Sequence, residues 1–243
     1  MKILFLGTGA SDWDPTCDYD NPEYRRNASA LIDDVLLIDP GPCVQDALNT
    51  FNIDVKKIRY VINTHTHADH FDEDTLEFLT ANGAEFIEFS SGEVKKIGEY
   101  EISSLKGNHK IPVNHFIISD SKSSIFYGLD SAWLMYDEVE EIIKHSPIDY
   151  AVFDGTIGFI EGDYRIFEHS SLNMIIMMKN TLEKYIKEFC ISHMAKTLHT
   201  GHDELAAEMR KYGIEVAFDG MENIIQRRKG ERVIGFNSEF TVN

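Results

Sequence analysis

The sequence predicts an α/β protein made of sheets whose outer faces are covered by helices. Two patterns point there: short apolar runs crowd the first half, and in the second half similar runs alternate with segments of helical period. A third observation is that no Pro/Gly/Ser-rich linker and no evident repeat divides the chain. Its 243 residues can bury a large core and read as one domain, 1–243.

Taken in order, Ile3, Leu4, Phe5 and Leu6 before Gly7 form a first strand over 3–6. Runs at 30–32 and 35–38 pair as a hairpin turning on Asp33-Asp34. A strand at 59–62 leads into a histidine-rich segment, and strands at 85–89, 94–97 and 100–105 follow. Runs at 113–119 and 124–129 make a second hairpin with its turn at 120–123. Helices are expected at 44–51, at 73–81 with Leu76 and Leu79 inward, and at 137–145 with Val139, Ile142 and Ile143 in register. Two more fall at 172–185, where Leu172, Ile175, Ile176 and Leu182 recur at helical spacing, and at 202–212. Strands at 150–153, 189–192 and 216–218 lie between them. Met174, Met177 and Met178 read as core filler.

Hydrophobic residues at 43% and charged residues at 26% suit a soluble globular protein. A formal net charge of −18 argues against a nucleic-acid partner, since affinity for polyanions comes from Lys and Arg. The longest basic run, Arg227-Arg228-Lys229, reads as the cap of a surface turn. Cys17, Cys43 and Cys190 are widely spaced and include no C-x-x-C, so neither a disulfide framework nor a zinc knuckle is expected. The N-terminal apolar run is too short for a signal-peptide core or a membrane span, so a cytoplasmic protein is expected. The balance favours a small-molecule substrate and no membrane partner; a homodimer is compatible with it.

Asn63-Thr64-His65-Thr66-His67-Ala68-Asp69-His70 is the most informative segment. His65 and His67 alternate along an extended backbone and point to one side, and Asp69-His70 sits on the turn that follows. One cation would take the two alternating histidines, and a second would take Asp69 and His70. Divalent ions held roughly 3.5–4 Å apart can share a bridging hydroxide and clamp both ends of a displacement. Four side chains cannot complete two such sites. His109, Asp130 and His193 each follow an expected strand, where binding groups gather. Singly, each could be a satisfied, half-buried residue.

The run His65 to His70 followed by His109, Asp130 and His193 resembles the metallo-β-lactamase-fold hydrolases. Within that superfamily the chain is similar to the phosphoribosyl 1,2-cyclic phosphate phosphodiesterases. The similarity also rests on Phe5-Leu6-Gly7-Thr8-Gly9-Ala10, Arg25-Arg26-Asn27-Ala28-Ser29-Ala30-Leu31-Ile32, Leu37-Ile38-Asp39-Pro40-Gly41 and Phe218-Asp219-Gly220-Met221. The resemblance implies a four-layer αββα sandwich with metals at one edge between two sheets. It implies one metal on His65, His67 and His109, a second on Asp69, His70 and His193, and Asp130 bridging both. Imidazole and carboxylate ligands suit Zn or Mn, and also Fe. Members with iron redox chemistry usually carry Glu where His67 stands, so the resemblance leans toward hydrolysis. Two departures stand out. The subgroup's cysteine-rich N-terminal stretch is represented only by Cys17, and Lys196 stands where a further histidine is common. Both imply loss of a structural metal, leaving Asp12, Asp14, Asp18 and Asp20 on a solvated loop.

His169 precedes the helix beginning near Leu172, whose N-terminus favours an anion. The resemblance implies that it binds phosphate or protonates the leaving oxygen, while Asp69 orients the hydroxide. Asp154 is a candidate to orient a metal-bound histidine, or simply a turn-forming residue before Gly155. One of His199 and His202 is expected near the site, and His202 could cap the last helix. His115 and His145 read as structural. The expectation is a two-metal hydrolase of a small phosphodiester, cyclic or open. Alternatives are a metal-dependent thioester, lactone or β-lactam hydrolase and a catalytically silent metal-binding protein.

Overall fold

The apolar runs form two mixed sheets in this computed structural model, which describes residues 1–16 and 21–226. Cys17, Asp18, Asp20 and the run Arg227-Arg228-Lys229 lie outside the described residues. The first sheet contains β1 (Lys2–Gly7), β2 (Ser29–Ile32), β3 (Leu36–Ile38), β4 (Tyr60–Ile62) and β5 (Glu85–Phe86). Helices α1 (Val44–Thr50) and α2 (Glu73–Ala81) fall between its strands in sequence. The second sheet begins with β6 (Val94–Ile97), β7 (Tyr100–Lys106), β8 (Asn114–Ser119) and β9 (Ser124–Gly128). After α3 (Tyr136–Lys144) it continues with β10 (Ile148–Asp154), α4 (Leu172–Leu182), β11 (Ile186–Ser192), α5 (His202–Arg210) and β12 (Ile214–Val216). The last strand, β13 (Glu222–Ile224), returns to the first sheet and pairs with β1, Lys2 opposite Ile224. The sheet orders are β13-β1-β2-β3-β4-β5 and β12-β11-β10-β9-β8-β7-β6.

Period-two alternation sorts the side chains into layers. Along β1, Ile3 and Phe5 enter the core between the sheets, whereas Leu4 and Leu6 face Val44, Ala47, Leu48 and Leu79 of α1 and α2. Along β9, Ile125 and Tyr127 enter the central core, and Phe126 joins the outer cluster with Ile142, Leu172, Ile175 and Met209 from α3, α4 and α5. Both faces of each sheet are therefore buried, giving the four-layer αββα sandwich. Each fully buried large side chain contributes about 1.5–3 kcal/mol relative to exposure.

Several local expectations are corrected. Met174 and Met178 are buried, but Met177 is 59% exposed on the outer face of α4 and fills no core. Helix α4 stops at Leu182, β5 at Phe86, and the strand expected at 216–218 lies at Ile214–Val216. Strand β13 was not expected, because Glu222-Asn223-Ile224 has too little apolar content to announce itself. The hairpin turn on Asp33 and Asp34 holds, with left-handed φ of 52° and 61°, a conformation Asp tolerates.

Topology positions the site. Strand β3 runs parallel to β4, and β9, β10 and β11 are mutually parallel. Two antiparallel steps, β7–β8 and β8–β9, return β7 to that same direction. The segments after all these strands thus leave by the same edge of their sheet, where ligands collect in α/β proteins. A bridge between Gly9 and Met194 joins the two sheets at that edge. Among the described residues no helix is long and apolar enough to cross a membrane.

Candidate metal centre

All seven residues expected as ligands meet at this edge. Three overlapping groups form within ligand distance among the described residues: His65, His67, His109 and Asp130; Asp69, His70 and His193; and Asp130, His169 and His193. In the first group His65 Nε2 lies 2.9 Å from His67 Nδ1, and His67 Nδ1 lies 3.4 Å from His109 Nε2. Asp130 Oδ1 stands 3.9 Å from both His65 Nε2 and His109 Nε2. In the second, His70 Nε2 and His193 Nε2 are 3.1 Å apart, each 3.4 Å from Asp69 Oδ2. Asp130 Oδ2 completes it at 2.8 and 3.2 Å from those nitrogens.

The remaining ring nitrogens decide what these atoms are. His70 Nδ1 donates to Asp39 Oδ2 at 2.8 Å, and His109 Nδ1 donates to the Glu168 carbonyl at 2.8 Å. Thr156 Oγ1 donates to the His193 carbonyl and so accepts from His193 Nδ1, at 2.7 Å. Thr64 Oγ1 likewise donates to Asp39 and accepts from His65 Nδ1 at 3.0 Å. In the neutral rings these bonds leave the inward Nε2 atoms as lone pairs facing one another. Asp130 Oδ2 is buried with no donor near it other than the two imidazole nitrogens beside it. Lone pairs aimed at a common point are what a cation needs. Ligand atoms of a tetrahedral ion with bonds of ~2.0–2.1 Å stand ~3.3 Å apart, close to these separations. The residues therefore fit divalent metals.

Protonation follows the same division. Burial pushes His65 down to about 2 and also lowers His67 and His109, so this group is neutral and ready to coordinate. Burial disfavours charge on His70, but Asp130, Asp69 and Asp39 outweigh it and hold the ring well above its ordinary value. Burial also opposes charge on Asp130, yet His193 and His70 keep this carboxylate well below the usual range. A cation entering the second group displaces the proton on His70, so binding weakens as pH falls.

Backbone strain marks the same place. Of the six non-glycine residues with positive φ among those described, three are Asp39 (63°), Asp130 (50°) and His193 (62°), each just past a strand end. Such left-handed backbone costs of order 1–3 kcal/mol and persists where surrounding contacts over-determine it. Gly41 is required for close approach, because a Cβ there would lie 2.4 Å from the Asp69 carbonyl oxygen.

His169 lies beside the cluster. Its ring stacks at 5.7 Å from His193 and stands 5.0 Å from His109. Its Nδ1 donates to Asp154 Oδ2 at 2.8 Å and lies 3.8 Å from Asp130 Oδ1. Burial disfavours its charge, but Asp154 outweighs burial and raises it to about 9. Ser171 caps α4, its hydroxyl accepting from Met174 N. Asp154 holds its turn, accepting from Ser131 N and Thr156 N, and the histidine it orients is His169, not one of the seven expected ligands.

Other expectations land elsewhere. His199 Nε2 donates to the Thr156 carbonyl behind His193. His202 Nδ1 accepts from Arg25 at the wall of a separate cavity of about 240 Å³. Neither joins the ligand groups, and Gly201 is the residue preceding α5. Asp12 is not merely solvated: its carboxylate accepts from Lys196 N and Thr197 N. His145 Nδ1 donates to the Glu141 carbonyl at its own helix end.

Sequence reasoning assigned no site role to Asp39, Thr64 or Thr156. Asp39 accepts from Thr64 N, Thr64 Oγ1 and His70 Nδ1 while fully buried. Its only signal was an acid immediately after a strand and before Pro40-Gly41. Groups holding a ligand's second nitrogen usually matter 10–100-fold in metal affinity. Asp39→Asn is accordingly expected to weaken zinc binding about 10–100-fold in a competition titration; unchanged affinity would remove Asp39 from the site.

Two face-to-face mixed sheets with this ligand cluster at their edge define a metallo-β-lactamase-fold protein. The metallo-beta-lactamase superfamily model matches residues 26–71, from the approach to β2 through the histidine run. Structural similarity extends over nearly the whole chain. A diphosphatase from the PhnP family is 19% identical with TM-score 0.71, over 93% of this chain and 98% of that one. Zn(2+)-bound PqqB from Methylobacterium extorquens is 15% identical with TM-score 0.73, over 93% and 100%. The short form of human tRNase Z is 16% identical with TM-score 0.68, over 93% and 100%. No curated protein matches by sequence.

Proposed function

We propose that this protein is a divalent-metal-dependent hydrolase of a small phosphodiester, with two ions held as the ligand groups divide. The observation that carries the reading is the shared carboxylate. Asp130 presents Oδ1 to one set of imidazoles and Oδ2 to the other. His65, His67 and His109 would hold one ion and Asp69, His70 and His193 the other, Asp130 serving both. Zinc or manganese suits this nitrogen and carboxylate set. When bound, such ions supply positive charge for an anionic ester and make water a nucleophile near neutral pH.

The chain's own residues supply the rest. Asp39, Thr64, Thr156 and the Glu168 carbonyl fix the imidazole planes, so no reorganisation is needed as charge develops. Asp69 would accept a proton from the attacking water with the carboxylate oxygen it does not turn toward His70 and His193. His169, paired with Asp154, would donate a proton to the departing alkoxide. A net charge of −18 favours a small ester over a long polyanion. The diphosphatase and tRNase Z similarities support phosphoric over carboxylic esters.

Purified protein is expected to cleave an activated aryl phosphodiester, to lose at least about 90% of that rate to a chelator, and to recover it with Mn or Zn. A panel of phosphodiesters, phosphonate esters, thioesters and lactones checks this. Turnover confined to the carboxylic esters would transfer the site to that substrate class, and silence with every phosphorus ester would end the reading.

A further inference from the structure

Behind the ligand cluster lies a buried pair that takes no part in holding a cation. His115, on β8, is fully buried, and Glu138, in the first turn of α3, is 1% exposed. His115 Nδ1 meets Glu138 Oε1 at 2.6 Å, and His115 Nε2 meets the Leu129 carbonyl at 3.0 Å. A carboxylate and a carbonyl only accept, so the ring donates from both nitrogens and the pair is an imidazolium with a carboxylate. Glu138 Oε2 is also used, accepting from Met135 N where α3 begins.

The His115 end of this pair touches backbone that carries ligands in two loops, while Glu138 anchors the ring to the start of α3. The Leu129 carbonyl belongs to the peptide joining Leu129 to Asp130, and the orientation of that peptide sets the φ of Asp130, which is 50°. Gly107, two residues before His109, packs so closely that a Cβ there would lie 2.6 Å from His115 Nε2. The two loops are laced together above the ring, Asn108 N donating to Ser131 Oγ and Ala132 N to the Asn108 carbonyl. A buried ion pair is often no more stabilising than apolar residues of the same volume. Its consequence is therefore to be sought in what it orients.

We infer that His115 and Glu138 are positioning residues, which pin the Leu129–Asp130 peptide in its strained orientation and so aim the carboxylate shared by the two ligand groups. The inference rests on the metal-dependent reading of the site, and its test reads the site's geometry as well as turnover. Cobalt(II) is the probe, since its visible absorption reports ligand geometry directly.

The double variant His115→Phe/Glu138→Leu removes both buried charges while keeping the space filled. It is expected to melt within a few degrees of wild type, yet to bind cobalt about 10–100-fold more weakly and with altered visible absorption. His115→Gln, whose amide can still donate to the Leu129 carbonyl, should recover most of the affinity. A double variant with wild-type affinity and absorption would overturn the inference and leave the pair a core contact. Should the double variant fail to fold, equal cobalt affinities for His115→Gln and His115→Met would overturn it instead. If cobalt-loaded wild type turns over no phosphorus ester, the hydrolase reading falls while the cobalt comparison stands. If wild type takes up no cobalt, crystal structures decide: a rotated Leu129–Asp130 peptide in the double variant supports the inference, and an unmoved one overturns it.

Discussion

Asp130→Asn is expected to lower turnover of an activated phosphodiester by a factor on the order of 10³ or more, and to lower the divalent metal bound per chain. No other ligand serves both groups: Oδ1 faces His65 and His109, while Oδ2 faces His70 and His193. Asparagine keeps one acceptor oxygen but turns an amide N–H₂ toward lone pairs on the other side, where a donor cannot coordinate. The substitution also takes a negative charge from the centre of the cluster. Metal analysis beside steady-state kinetics checks both parts. Full metal content with near-normal turnover would show that Asp130 does not link the two groups.

His169→Asn is expected to slow hydrolysis of esters with poor alkoxide leaving groups by about 10²–10⁴, and to leave esters of acidic phenols nearly unaffected. A phenolate departs without a proton, whereas an alkoxide does not. The geometry places the His169 ring beside Asp130, oriented by the 2.8 Å bond to Asp154. The sign of the pH dependence follows. Burial opposes the charge of His169, Asp154 outweighs burial, and the ring is raised to about 9. The acid is therefore present below that value and lost as pH rises through it, so rates for alkyl esters descend at or below pH 9, nearby divalent charge moving the limb downward. Asp154→Asn should move it lower still, and His169→Asn should remove it. An unchanged limb in His169→Asn would assign the proton to another group.

How much of this was legible before folding differs from residue to residue. His65, His67, Asp69 and His70 announced themselves because four potential ligands occupy one short segment after an apolar run. His109, Asp130 and His193 could be proposed because each follows a strand-like run, but alone each was as readable as an ordinary half-buried side chain. The helix exposure of Met177 and the existence of β13 were not legible. Both depend on which face a neighbour covers, and an isolated apolar or polar residue carries no such information. His115 was read as structural from its place in a strand, and its double contact with Glu138 and Leu129 required three segments to be brought together.

The sequence by itself determined the layers and the chemistry on offer. Period-two and helical patterns assign each side chain a face, and the donor types restrict what can be bound. Only the tertiary structure decided which nitrogen of each histidine points inward, because that choice is made by Asp39, Thr64, Thr156 and the Glu168 carbonyl, distant in the chain from most of the rings they hold. It also decided that Asp130 faces two groups at once. That follows from parallel strands leaving one edge together and from a left-handed turn whose strain is borne by contacts spread over the fold.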